Sequence, residues 1–261
     1  MKQIVCLAAA LLTCLAGLPA SAADKGTVVV IGSGQSGRPL ARILLEQGYD
    51  VKIHTRSAER AKSRGLPEGA GVVEGDSTKP ETLAGDFDGV DYVISTIGAQ
   101  CAPNEPPRAG STPEDVDYMG IANLASAAKA AGVKQFVLMS AIGAGNADPE
   151  DGLNKMCDMV LKWKGDGEQA LRDSGVPYTI VRPGGLKPFP GQPECMEGTE
   201  PLLVYPSDEE RSGALCRADV GLVMAAALGN ADALGKTVNL IADSSAGLDD
   251  WQSAWAEIPA D

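Results

Sequence analysis

Histidine occurs once in this 261-residue chain, at His54. With no second histidine and no C-x-x-C pair among six cysteines, the spacing of a structural zinc site is absent. Basic residues are outnumbered, 22 Lys and Arg against 35 Asp and Glu, for a formal charge of -13. An acidic surface of this kind argues against nucleic acid and anionic membrane as partners. Aromatic residues make up 4% of the chain, and no internal repeat or low-complexity tract is present. The one long apolar run, Ile4 to Leu18, is about 15 residues, short of the ~20 that span a bilayer. With Lys2 before it and Pro19-Ala20-Ser21-Ala22-Ala23 after it, the run reads as the core of a cleavable signal peptide over residues 1–23. No twin arginine precedes it, and the residues before Cys14 lack the small side chain expected of a lipoprotein. Residues 24–261 then form a single domain, with no stable membrane anchor after cleavage.

What is present is organised around Gly32-Ser33-Gly34-Gln35-Ser36-Gly37. A compact apolar run, Val28 to Ile31, precedes it, and Pro39 to Gly48 follows with Leu40, Ile43 and Leu44 on one helical face. Strand, glycine turn and helix form the context in which G-x-G-x-x-G binds a dinucleotide. Gly32 permits the turn, Gly34 admits a pyrophosphate against the backbone, and Gly37 lets helix and strand pack closely. The helix start then faces the anion with free N–H groups.

Further strands are expected at 51–55, 71–74, 91–95, 135–139, 178–181 and 237–241. One helix is expected to start at the capping signal Ser111-Thr112-Pro113-Glu114 and to continue through 122–131. Others are expected at 153–172 and 218–228, and Leu248, Trp251, Trp255 and Ile258 fall at helical spacing near the end. Strands alternating with helices make this an α/β chain with a doubly wound parallel sheet. Ligands of such sheets bind beyond the carboxyl ends of the strands. The stretches 98–110 and 184–213 read as loops at that edge, where substrate contacts and a small C-terminal cap would sit. Cys101, Cys157, Cys195 and Cys216 follow the leader. They allow two disulfides in three connectivities, or four buried thiols; a bridge between Cys195 and Cys216 would pin the second loop.

The second strand ends His54-Thr55-Arg56, with no acid to hold a ribose 2′-hydroxyl. A guanidinium there pairs with a 2′-phosphate through charge-assisted hydrogen bonds, so NADP(H) is preferred and NAD(H) stays possible. Asp76 and Ser77 after the third strand, and Thr96, Ile97 and Gly98 after the fourth, complete the candidate cofactor wall.

These blocks, with Ala127 to Val133, Phe136 to Ser140, Tyr178 to Gly185 and Arg217 to Val220, resemble the atypical short-chain dehydrogenase/reductases of the NmrA-like NAD(P)-binding group. The resemblance runs from about Thr27 to Ile241. It implies a Rossmann fold, NAD(P) binding and, in many members, reduction of a small carbonyl; other members bind cofactor without known catalysis. Many relatives space the glycines as G-x-x-G-x-x-G, one residue longer than here. Typical members use Tyr-x-x-x-Lys on the helix after the fifth strand. Matching Lys-x-x-x-Glu places the lysine at Lys164, which would also hold the nicotinamide ribose, and the tyrosine position on Val160. None of the five tyrosines has a lysine four residues later. Ser140 matches the serine that polarises the substrate.

Two readings follow. In one, the chain is an NADPH-dependent oxidoreductase reducing a small carbonyl, quinone or related acceptor. Ser140 polarises that acceptor, and Lys164 or a water supplies the proton, as burial or a nearby cation allows a lysine to do. The related ether and isoflavone reductases are similar in relying on the lysine without the tyrosine. In the other, the chain is a silent NADP(H)-binding redox sensor or assembly factor. The leader points to the periplasm, the exterior or an organelle lumen. Scarcity of NADP(H) outside the cytosol keeps a cytoplasmic location open. Substrate and oligomeric state are not legible.

Overall fold

A computed structural model describes residues 25–101, 110–188, 195 and 198–261. The proposed leader lies outside them. The chain folds as one α/β domain around an eight-stranded sheet.

Its first half is a repeated strand–helix unit: β1 (Thr27–Ile31), α1 (Gly37–Glu46), β2 (Asp50–Thr55), α2 (Ala58–Ser63), β3 (Gly71–Glu74) and β4 (Tyr92–Ser95). A π-helical turn, Glu114–Met119, runs directly into α3 (Gly120–Ala130) and is followed by β5 (Gln135–Met139). The second half holds α4 (Gly152–Met156), α5 (Val160–Asp173), β6 (Tyr178–Pro183), β7 (Gly185–Lys187), β8 (Leu202–Pro206) and β9 (Ala214–Cys216). It ends with α6 (Arg217–Ala227), β10 (Lys236–Ala242) and α7 (Trp251–Glu257).

Strand order is β3-β2-β1-β4-β5-β6-β10-β8, parallel throughout except for β8, which pairs antiparallel with β10. This is a Rossmann arrangement, and the order reverses between β1 and β4, the switch point where such sheets open a crevice.

Both faces of the sheet are buried, so its strands read as continuous apolar runs rather than alternating ones. Val28 and Val30 pack against α1, α6 and α7, with Leu40, Leu44, Val220, Val223 and Trp255. Val29 and Ile31 face the other way, toward α3 and α5, with Leu124, Ala128, Phe136 and Leu171. Each fully buried Leu, Ile or Phe in these two layers contributes about 1.5–3 kcal/mol.

Three expectations are corrected. The helix read over 153–172 is two helices, broken at Asp158 and Met159, which hold φ of 47° and 60°. The stretch 184–213, read as a loop, contains β7 and β8; β7 pairs with β9 in a separate two-stranded sheet. Pro201 precedes β8 and Pro206 is its last residue, and β8 tolerates them because an edge strand has one unpaired side. Third, Trp251, Trp255 and Ile258 are buried as their spacing implied, but Leu248 is exposed and precedes α7. Its helix packs beside β8 and α6 in the main core.

Among the described residues no helix is long and apolar enough to cross a membrane. Both loop cysteine pairs are bridged, Cys101 to Cys157 and Cys195 to Cys216.

Candidate functional site

A cavity in two joined halves lies at the switch point. One half, about 500 Å³, runs from the glycine turn across the ends of β2 and β3. The other, about 590 Å³, runs from the same turn toward Ser140 and Lys164. The segment Thr96 to Gln100 and Gly34 line both.

The glycine turn packs α1 closely against β1 and opens toward the cavity. A Cβ on Gly37 would stand 1.9 Å from the Gly32 carbonyl oxygen, so only glycine lets α1 start this close to β1. A Cβ on Gly34 would meet nothing within 4 Å, because that Cα faces the open cavity. At the start of α1, Ser36 makes no side-chain cap and the first turn carries no acid. Its backbone N–H groups and positive dipole end are thus unopposed by protein anions, as a pyrophosphate site requires. Ser33 is tied to the end of β2 by a 3.2 Å hydroxyl pair with Thr55. Gln35 and Ser36 line the second half.

Around the first half stand three arginines, Arg56, Arg60 and Arg64. Arg56 is exposed and donates to Ser111 at 3.4 Å. Arg38, from α1, donates to the Arg64 carbonyl and so closes the rim. Asp76 is the one carboxylate lining this half among the described residues. It accepts from the Thr78 N–H and hydroxyl at 3.1 and 2.9 Å, which fixes it in a local turn. Ser77 is buried, and its carbonyl accepts from Asn123 at 2.9 Å. Sequence reasoning named Arg56 but missed Arg60 and Arg64. Their spacing of four on and beyond the short α2 was the available signal.

His54 lies under this half, 2% exposed, with Nε2 at 2.9 Å from Asp86. Burial pushes its pKa below the ordinary histidine value, against the opposing pull of Asp86 and Asp76.

In the second half, Ser140 directly follows β5 and Lys164 projects from the second turn of α5. Lys164 Nζ donates to Asp117 Oδ1 at 2.6 Å, and the Ala99 N–H donates to the other oxygen at 2.9 Å. Asp117, 1% exposed at its side chain, therefore ties the lysine to the Thr96–Gln100 wall. It sits on the π-helical turn, the kind of helical irregularity that accompanies functional sites. No sequence motif marked it. Gly167 makes the contact possible: its Cβ would stand 2.0 Å from the Asp117 carbonyl oxygen.

The Ser140 hydroxyl is buried and has no hydrogen-bond partner. A cleft of about 10 Å³ separates it from Lys164 and Asp117, close to the smallest space that holds one water. Val160 stands one turn before Lys164, buried with Cys157, Leu161 and Ala141. No tyrosine lines either half among the described residues. Nor does any group of three His, Cys, Asp or Glu among them suit a metal ion.

Comparison with known proteins accords with this geometry. A family model described as NAD(P)H-binding matches residues 32–231. The chain is 32% identical to sanguinarine reductase of Eschscholzia californica, over 77% of this chain and 83% of that protein. It is 33% identical to an uncharacterized chloroplastic protein of Arabidopsis thaliana, over 85% of this chain and 71% of that one. Among solved structures, the oxidoreductase ylbE from Lactococcus lactis superposes with a TM-score of 0.70 at 20% identity, covering 88% of this chain and 97% of that one. A short-chain dehydrogenase/reductase from Veillonella parvula in complex with NADP superposes at 0.63 with 17% identity, covering 85% and 97%. At those identities the likeness is one of fold.

Proposed function

The chain belongs to the NAD(P)H-binding family, and from that premise we propose that it is an NADP(H)-dependent reductase of a small carbonyl, quinone or related acceptor. The observation that carries this reading is the Ser140–Lys164–Asp117 group: an unpartnered buried hydroxyl beside an ammonium that a buried carboxylate holds at 2.6 Å. NADPH, when bound, supplies hydride to the acceptor. The Ser140 hydroxyl donates to the acceptor oxygen, and Lys164 Nζ delivers the proton directly or through a water in the adjoining cleft. Asp117 orients Lys164, and Gly98 lies against both of them. The backbone of the glycine turn and the start of α1 hold the pyrophosphate, with Thr96, Ile97 and Gly98 as the facing wall. The arginines at the end of β2 and on α2 hold a 2′-phosphate, which sets NADP(H) above NAD(H). Reductase relatives such as sanguinarine reductase support the reaction class.

One observation favours a second reading, a silent NADP(H) binder. Val160 occupies the tyrosine position and is packed among apolar side chains. NADPH oxidation against quinones, aldehydes and flavins separates the two. Under the first reading at least one acceptor is reduced, and Ser140→Ala or Lys164→Ala lowers kcat/KM about 10²-fold, the scale of lost acid catalysis. Tight NADPH binding without turnover across the panel establishes the second.

We further propose that residues 1–23 direct the chain out of the reducing cytosol, to an organelle lumen or beyond. Two disulfides support this, as does the chloroplastic designation of the Arabidopsis relative. N-terminal sequencing of the fractionated native protein should begin near Ala23; an intact Met1 in the cytosol overturns it.

A further inference from the structure

We propose that the Cys101–Cys157 disulfide is a thiol-exchange site through which a dithiol reductant loosens the cofactor cavity. The proposal rests on the cofactor reading above.

Cys101 is exposed and lines the Ser140 half of the cavity. It ends the stretch Thr96 to Cys101, whose first five residues wall both halves. That stretch is anchored near its start, where the Thr96 N–H and hydroxyl both reach the Ile31 carbonyl at 3.0 Å, and at Ala99 by Asp117. At its far end the tie is covalent: the bridge crosses 56 residues of sequence to Cys157, with Cα atoms 5.2 Å apart.

Cys157 stands at the junction of α4 and α5. Asp158 and Met159, which follow it, both hold left-handed backbone that non-glycine residues adopt at a cost. They lead into Val160 and, one turn later, Lys164. Asn154 keeps that junction in place, accepting from the Leu161 N–H at 2.9 Å and donating to the Asn146 and Asp148 carbonyls. Opening the bridge therefore releases the cavity wall more than the helix.

The two sulfurs are not equally reachable. Cys157 is 4% exposed and packs with Val160 and Leu161, so a reductant meets Cys101 first. A thiolate of the dithiol attacks Cys101 Sγ, the disulfide bond breaks, and Cys157 leaves as a thiolate that takes a proton from solvent. The second thiol, giving up its own proton, attacks the mixed disulfide and expels Cys101, which is protonated in turn. Two electrons pass to the protein, and the reductant leaves as a disulfide. The second bridge, Cys195–Cys216, has one half-buried and one buried cysteine and closes the start of α6 instead.

A wall fixed before binding costs less to order on binding, so the oxidised form holds cofactor more tightly. The test is NADPH titration of the full chain, oxidised and after dithiothreitol, with thiol mapping by mass spectrometry. Reduction should open Cys101–Cys157 first and weaken NADPH binding about fivefold, the lower end of ordinary coupling. The Cys101→Ser/Cys157→Ser double variant should bind as the reduced protein does and ignore the reductant. Cys195→Ser/Cys216→Ser should keep the response. Equal affinity in both redox states overturns the proposal. So does a response that survives in the first double variant, or prior opening of the second bridge. Absence of NADPH binding in every form instead overturns the cofactor reading beneath it.

Discussion

Lys164 and Asp117 are 47 residues apart in sequence and 2.6 Å apart in space. Removing one charge of a buried pair strands the other, so Asp117→Asn should lower stability by roughly 1–3 kcal/mol, less than for a fully buried pair because Lys164 keeps some solvent contact. Urea unfolding of Asp117→Asn, Lys164→Met and the double variant checks this. The double variant should be about as stable as the less stable single one, and additive losses would mean that the two side chains do not interact. Arg56 carries a separate prediction. Arg56→Ala should weaken NADPH binding about tenfold, the loss of one charge-assisted hydrogen bond or two, and leave NADH binding nearly unchanged. Equal effects on both cofactors would refute the assignment of the arginine rim to a 2′-phosphate. At this scale legibility was uneven. Lys164 was found through its spacing to Glu168, and Gly34 and Gly37 through theirs, because local spacing survives in sequence. Asp117 was invisible, since its role is made by a contact between a π-helical turn and a helix far along the chain.

At the scale of elements, α5 contradicts its own propensity. It carries Gly165 and Gly167 within 14 residues, and glycine inside a helix costs about 1 kcal/mol relative to alanine. Propensity alone would make Gly167→Ala stabilising. The structure reverses the sign, because the new Cβ would fall 2.0 Å from the Asp117 carbonyl oxygen, where the backbone must move to make room. Such overpacking costs typically 1–3 kcal/mol, so Gly167→Ala should lower the Tm and displace Lys164 from Asp117. Gly152, at the exposed first position of α4 with nothing within 4 Å, is the control. Gly152→Ala should be neutral or stabilising by up to about 1 kcal/mol, and thermal melts of the two variants compare them directly. The core strands were legible because both faces of the sheet are buried and each strand is an apolar run. β8 was not, because the prolines around it mark a loop unless the strand is known to lie on an edge. The break between α4 and α5 was equally hidden: aspartate tolerates left-handed backbone but is common inside and beside helices too, and Met159 is not a residue type that announces it.

Over the whole molecule, the single histidine makes one titration separable from all others. His54 is buried beneath the cofactor cavity, with Asp86 on one side and Asp76 nearby. Two effects compete there. Burial disfavours the imidazolium, and the two carboxylates favour it; burial is the larger, so the folded-state pKa lies below the ordinary value of about 6.5. Below that value the unfolded chain binds a proton that the folded chain resists, so the unfolded state gains protons and stability falls with pH. The contribution is complete above about pH 6.5 and is lost progressively as pH drops toward the folded-state value, at no more than about 1.4 kcal/mol per pH unit. The overall charge of -13 acts in the opposite direction, since acidification toward the isoelectric point near 4.5 relieves repulsion. A single melting curve against pH would mix the two. Urea midpoints at pH 7.5 and 5.5 for the native sequence and for His54→Gln separate them, because both carry the same repulsion. The native protein should lose more stability on acidification than the variant. A larger loss in the variant would mean that Asp86 outweighs burial and that His54 is held charged, placing a cation rather than a neutral ring under the cavity floor.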